Sequence, residues 1–266
     1  RVEAIRGGSA AITTSNGPAG IINFISKTGA QRGGVISTSF GLNYNSFRTD
    51  FNVGSPLGNG VSLNIGGFLR QGEGPRNANH VVNNGGQIKA NITKQFDKGF
   101  ARVYVKMLND KTAAYMPMPI QVTGTNENPT WESVDGLDAA SNGLHSPFFQ
   151  QNYGLDQDGN YRTKNISDGM ETRSNAVGAS FDFDIGNGWR FTSNSRMTFN
   201  KGGFVAPFTA QVTSTQALMD EVVTTNGDTT AAGAPLPYTI NRVTSGEVID
   251  DTENGLAQRI HLFDVE

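Results

Sequence analysis

Residues 86–108, GQIKANITKQFDKGFARVYVKML, decide how the rest of the chain is read. In the first half Ile88, Ala90, Ile92 and Phe96 oppose Gln87, Lys89, Asn91, Thr93 and Gln95. In the second half Ala101, Val103, Val105 and Met107 oppose Arg102, Tyr104 and Lys106. A helix would scatter these apolar side chains around its cylinder, whereas a strand sorts them onto one face. The short join Asp97-Lys98-Gly99 between the runs is what a hairpin turn requires.

The same period of two spreads outward from this hairpin. In VSLNIGGFLR, Val61, Leu63, Ile65 and Leu69 oppose Ser62, Asn64, Gly66 and Arg70, with Phe68 out of step. In NAVGASFDFDI, Val177, Ala179, Phe181, Phe183 and Ile185 oppose Gly178, Ser180, Asp182 and Asp184. WRFTSNSRMTFN sorts Trp189, Phe191, Met197 and Phe199 from Arg190, Thr192, Asn194, Arg196 and Thr198. Weaker strands are expected at about 34–42 and 47–55, and an eighth begins near Gln258. The joins at 56–60, 97–99 and 186–188 are tight and glycine-rich. Those at 72–84, 111–172 and 201–257 are long, and the short and long joins fall on opposite edges of the sheet.

Composition limits what such a protein does. The 266 residues include 33 glycines without a collagen period, 36% hydrophobic residues and 17% charged residues. The net charge of -3 argues against nucleic acid as a partner, because counterion-driven binding needs a basic surface. Cys is absent and His numbers 3, which leaves little material for disulfides, thiol chemistry or a metal centre. No apolar run is long enough for a transmembrane helix, and these residues carry no n-region and h-region pattern of a signal peptide. The chain opens on Arg1 without Met and ends in alternating sequence, so it reads as a segment of a longer protein. Strands of about 9–12 residues with one polar and one apolar face fit an antiparallel β-barrel crossing an outer membrane. Phe96, Trp189 and Phe199 near strand ends fit an interfacial belt. The alternative is an all-β protein that buries its apolar faces against one another, such as a sandwich.

Residues 1–29 add a resemblance. VEAIRGGSAAI (2–12) and GPAGIINFISKTG (17–29) resemble the end of the plug domain in TonB-dependent outer-membrane receptors. Glu3, Arg6, Gly7, Ile22, Asn23 and Lys27 match that pattern, while Gly8 replaces its usual proline and Ala19-Gly20 its usual glycine pair. Residues 34–110 look like the first barrel strands of the same family. The resemblance implies 1–33 as the C-terminal end of a plug domain. It implies 34–266 as the N-terminal part of a barrel of about 22 strands, with extracellular loops at 111–172 and 201–257. It further implies import of a scarce or bulky substrate such as a siderophore or oligosaccharide. The energy would come from the TonB–ExbB–ExbD complex, in the outer membrane of a Gram-negative bacterium, with outer-membrane lipid around the barrel. Glu3 and Arg6, if buried between plug and wall, must pair with each other or with wall charges such as Asp50 or Arg70. Gly7, Gly17, Pro18, Gly20 and Asn23 would shape the plug turn.

The long loop at 111–172 carries the candidate ligand contacts Tyr115, Trp131, His145, Phe148, Phe149, Tyr153 and Tyr161. Such aromatics stack on sugar rings, hold apolar ligands, or build a small core for the loop itself. Met116 and Met118 lack a histidine partner, and DQDGN at 156–160 lacks the ligand set of a calcium loop and reads as a turn. A short surface helix is expected at 214–223, capped by Ser214 or Thr215. No catalytic residues, metal site or cofactor are indicated: no general acid–base spacing and no nucleophile elbow are present. Two other classes of function stand beside the importer. One is a soluble or surface β-rich binding module, an adhesin or glycan-binding domain. The other is a passive porin-like channel.

Overall fold

The computed structural model describes residues 1–6, 20–134, 137–156, 158–214 and 217, and the strand pairing of 241–244, 247–250 and 256–265. Its strands are β1 (Val2–Arg6), β2 (Gly20–Phe24), β3 (Gly33–Phe40), β4 (Ser46–Gly58), β5 (Val61–Gly72), β6 (Asn83–Phe96) and β7 (Gly99–Thr112). There follow β8 (Ile120–Gly124), β9 (Pro129–Ser133), β10 (Gln151–Leu155), β11 (Tyr161–Asn165), β12 (Met170–Gly186) and β13 (Trp189–Ser214). The last are β14 (Asn241–Thr244), β15 (Glu247–Asp250) and β16 (Leu256–Val265).

One antiparallel sheet of eight strands dominates, in the order β16-β13-β12-β7-β6-β5-β4-β3. Two-residue turns join three of its neighbouring pairs, β4–β5, β6–β7 and β12–β13, and longer connections join the rest. Asn59 (φ 49°) and Gly60 (φ 73°) turn β4 into β5, and Asn187 (φ 54°) and Gly188 (φ 79°) turn β12 into β13. Asn-Gly tolerates the left-handed backbone that such hairpins need. Each turn then sets register for a whole ladder: Phe96 faces Gly99, Ile92 faces Val103 and Lys89 faces Lys106.

The ladders confirm the sorting by face. Val53, Ile65, Ala90, Val105, Val177 and Met197 lie in one row across six strands. Asn52, Gly66, Lys89, Lys106, Ala176 and Thr198 lie in the adjacent row on the opposite face. Burial runs against ordinary expectation. Polar-face Ser62, Asn64, Asn91, Thr93 and Ser174 are buried, whereas Val105 and Met197 on the apolar face are 42% and 58% exposed. The polar face is covered by a strap formed by residues 25–32, which leads from β2 to β3. Ser62 Oγ donates to Thr28 O at 3.0 Å, and Asn91 Nδ2 donates to Lys27 O at 2.9 Å. Gly29, at φ +78°, sits directly on the Leu63 carbonyl, where a Cβ has no room.

Several expectations are corrected here. The sheet is open: β3 pairs only with β4, β16 pairs only with β13, and the two ends do not pair with each other. A barrel requires that first-to-last pairing together with a matching tilt and stagger. The transmembrane barrel of about 22 strands is therefore replaced by an open antiparallel sheet. The interfacial belt goes with it. Phe96 packs on Phe183 at 5.5 Å, and Phe199 lies mid-strand because β13 continues to Ser214. The sandwich alternative is not built either, since none of the described sheets stacks on the apolar face. No described helix is long and apolar enough to cross a membrane, a statement about helices alone.

The long insertion between β7 and β12 is structured. It holds the hairpins β8–β9 and β10–β11 and a 3-10 turn at Ile166–Asp168. Its Ala113 and Tyr115 meet Ala78 and Val82 of the β5–β6 connection in a small shared core, while Trp131, Phe148, Phe149, Tyr153 and Tyr161 stay exposed. The helix expected at 214–223 lies almost wholly outside the described residues.

Candidate ligand-binding surfaces

Two surfaces carry chemistry. The first is the polar face of the large sheet, where three carboxylates are each claimed by an arginine. Arg48 grips Asp50 through Nε and Nη2, both at 2.7 Å. Arg70 grips Asp110 at 2.9 and 2.5 Å, and Arg190 grips Asp182 at 2.7 Å through two nitrogens. The paired hydrogen bonds raise the Arg48 guanidinium and hold the Asp50 carboxyl below its usual range. The Arg190 bond lowers Asp182 in the same way. Between these pairs stand Lys89, Lys106, Arg102 and Arg196. Arg102 Nε donates to Thr93 Oγ1 at 2.9 Å, and Arg196 Nε donates to Thr198 Oγ1 at 3.0 Å. Burial lowers Arg102. Burial, then repulsion from Lys89 and Arg196, lowers the Lys106 ammonium.

A cavity of about 410 Å³ opens on this face beside the strap, bounded by Lys27, Arg48, Asp50, Phe68, Lys89 and Asn91. A second, of about 500 Å³, lies along the strap over Asn52, Gly54 and Asn64. Asn52 and Asn64 bond to each other through both amides, and Asn91 Oδ1 is buried without a donor. An open depression of about 840 Å³ on the apolar face is lined by Phe47, Phe51, Leu69, Ile88 and Met107.

The second surface is the hairpin β10–β11. Its register puts Tyr153 opposite Thr163 and Leu155 opposite Tyr161, so both tyrosines and Leu155 share one face. That face is open, with Tyr153 74% and Tyr161 95% exposed. The turn at 156–160 is held by Asp156, whose Oδ1 accepts from the amides of Asp158 and Asn160, each at 2.9 Å. Those bonds, with the Asn160 side chain, hold the Asp156 carboxyl down. The carboxylate is spent on the turn, in keeping with the turn reading of this acidic stretch. The hairpin β8–β9 repeats the arrangement with Val122 facing Trp131, both exposed.

The expected site residues fall apart into separate places. Glu3 pairs with Arg1 at 2.5 Å and accepts from Asn23 Nδ2 at 3.3 Å, while Arg6 is exposed at the end of β1. Asp50 and Arg70 have their own partners on the sheet, so the plug-to-wall pairing is absent. Gly20, opposite Arg6, leaves no room for a Cβ, which would lie 2.8 Å from Ile5 O. Gly7, Gly17 and Pro18 lie outside the described residues. Tyr115 packs against the small core of Ala78, Val82 and Ala113, where its hydroxyl accepts from Gly74 N at 3.1 Å and donates to Arg76 O at 3.3 Å. His145 is buried against the Tyr115 ring at 5.3 Å, with both ring nitrogens unpartnered. Burial, with nearby His80, pushes its imidazole down to about 4. Phe148 and Phe149 are exposed on a turn that begins at Ser146. The sequence reading did not single out the cations Lys89, Lys106 and Arg196, which the register gathers on one face, Lys89 opposite Lys106 and Arg196 one row along.

Comparison with known proteins finds no matching family model, no similar curated protein and no similar solved structure. The plug-like stretches of 1–29 therefore do not make this chain a TonB-dependent receptor. The open sheet removes the pore through which such a receptor works. The importer, the porin-like pore, the TonB–ExbB–ExbD partnership and the outer-membrane placement are corrected with it.

Proposed function

We propose that this chain is a β-rich binding module for carbohydrate, with the β10–β11 hairpin as its contact element. The observation that carries this reading is the pair Tyr153 and Tyr161, diagonal to each other on a hairpin face that no other described residue covers. Exposing two large rings to water is costly unless a partner covers them, and flat rings with polar tips suit sugar faces. The long sheet supplies a stiff base, and the Asp156 turn holds the two rings in register. Exposed Trp131 on β9 offers a further stacking ring.

Titration calorimetry against neutral and acidic oligosaccharides tests the proposal. Replacing both tyrosines (Y153A with Y161A) is expected to weaken binding of the best oligosaccharide roughly tenfold or more, with the thermal midpoint unchanged. Binding unaffected by the double substitution, or no binding across the panel, refutes it.

A further inference from the structure

We infer that the polar face of the large sheet, at Lys89, Lys106 and Arg196, is a binding site for a carboxylate-bearing saccharide of the uronate class. The inference rests on the carbohydrate reading for the sugar, while the demand for an anion stands on the sheet itself.

The argument begins with register. The β6–β7 turn places Lys89 directly opposite Lys106. Like charges in that position destabilise a sheet. Arg196 joins them from β13 on the same face, one row along, opposite Gly178 and in the row of Tyr104, whose ring covers Gly178. It lies two strands over and two residues along from Lys106, a backbone separation of about 12 Å that long side chains can narrow. Every carboxylate that could neutralise this group is engaged elsewhere: Asp50 by Arg48, Asp110 by Arg70 and Asp182 by Arg190. Among the described residues no carboxylate reaches Lys89, Lys106 or Arg196. The chain as a whole is acidic, with net charge -3, so this concentration of positive charge is local.

The second observation is an unfilled hydrogen bond. Asn91, 8% exposed, is on the same face as Lys89 and borders the same cavity of about 410 Å³. Its Nδ2 is satisfied by Lys27 O, and its Oδ1 has no donor. A buried acceptor without a donor costs about 1–3 kcal/mol. A sugar hydroxyl supplies that donor, and a carboxylate on the same sugar supplies the counter-charge for the lysines. A bare phosphate or a nucleic acid lacks this combination of hydroxyl donors with a single carboxylate per unit. The lowered Lys106 ammonium agrees with a group waiting for an anion.

The test uses the whole chain and three probes: an oligogalacturonate, a neutral oligosaccharide of equal length and inorganic phosphate. Oligogalacturonate is expected to bind best, and more weakly as salt rises. The variant K89Q with K106Q is expected to lose that binding about tenfold or more. Its thermal midpoint should be equal or higher, because the repulsive pair is gone. Arg196→Gln is the second variant, with the same expected direction. If neutral sugar binds through Tyr153 and Tyr161 while oligogalacturonate gains nothing from the lysines, the present inference falls and the carbohydrate reading stands. If phosphate binds at the lysines as tightly as oligogalacturonate, the uronate assignment falls. If no saccharide binds, both fall.

Discussion

His145 is the most informative residue to replace. It is 2% exposed, its two ring nitrogens lack partners, and its imidazole is pushed down to about 4 by burial and by His80. The unfolded chain restores the usual value of about 6.5. A folded value below the unfolded one means that the unfolded state takes up the proton first as pH falls. Stability is thus complete above about pH 6.5 and is lost as pH drops toward about 4, at up to ~1.4 kcal/mol per pH unit. Between pH 7.5 and 4.5 the loss from this one group is about 2–3 kcal/mol, and it levels off below about pH 4. Carboxylates titrate over part of this window, so the measurement is a difference between wild type and His145→Phe. Phenylalanine keeps an aromatic edge against Tyr115, 5.3 Å away, and removes both orphaned nitrogens. Urea unfolding at the two pH values gives the difference, and hydrogen exchange at the Val82 and Ala113 amides, bonded to Gly72 O and Val82 O, reports on the small core shared by the β5–β6 connection and the insertion. The variant should lose about 2–3 kcal/mol less than wild type on acidification and should be no less stable at pH 7.5. Equal pH slopes for the two proteins would refute the reasoning, since they would mean that His145 is hydrated or paired in the folded state.

Asp110→Asn breaks the two-point grip on Arg70, whose side chain is only 26% exposed, and should cost about 1–3 kcal/mol in urea unfolding; an unchanged midpoint would show the pair to be idle. Gly29→Ala puts a methyl group against the Leu63 carbonyl at a left-handed backbone position, which alone costs about 1–2 kcal/mol. The strap should then lift from Ser62 and Asn91, and trypsin should cut faster after Lys27 and Arg32; unchanged cleavage would mean that the strap does not depend on that close approach. Asp156→Ala removes the acceptor for two turn amides and should loosen the β10–β11 hairpin, weakening oligosaccharide binding as the tyrosine substitutions do. Retained binding would separate the turn from the tyrosine platform.

Much of the sheet was legible from residue order. Alternation over 61–70, 86–108 and 175–200 gave the strands and their two faces, because a strand's side chains alternate by geometry. Asn59-Gly60 and Asn187-Gly188 gave the turns, and each two-residue turn carries its register outward until a bulge intervenes. The opposition of Lys89 to Lys106 follows from the two-residue turn at Asp97 and Lys98 and is already contained in the order of residues. The hairpins inside 111–172 were less visible. Their strands are five residues long and almost wholly exposed, so no burial pattern marks them. The plug-like motif of 1–29 gave the wrong identity, since a run of glycines and small apolar residues suits many tight chain reversals.

Residue order by itself determined that the chain builds long antiparallel strands with one polar and one apolar face, and which side chains share each. Only the tertiary structure decided that the sheet stays open and that the strap covers the polar side over Ser62 and Asn91 while Lys89 and Arg196 stay exposed. It also left Tyr153 and Tyr161 bare while burying Tyr115 and His145. The reason is that alternation is a local property of backbone geometry, whereas what lies against a face, and whether two distant edges meet, depends on segments far apart in the chain.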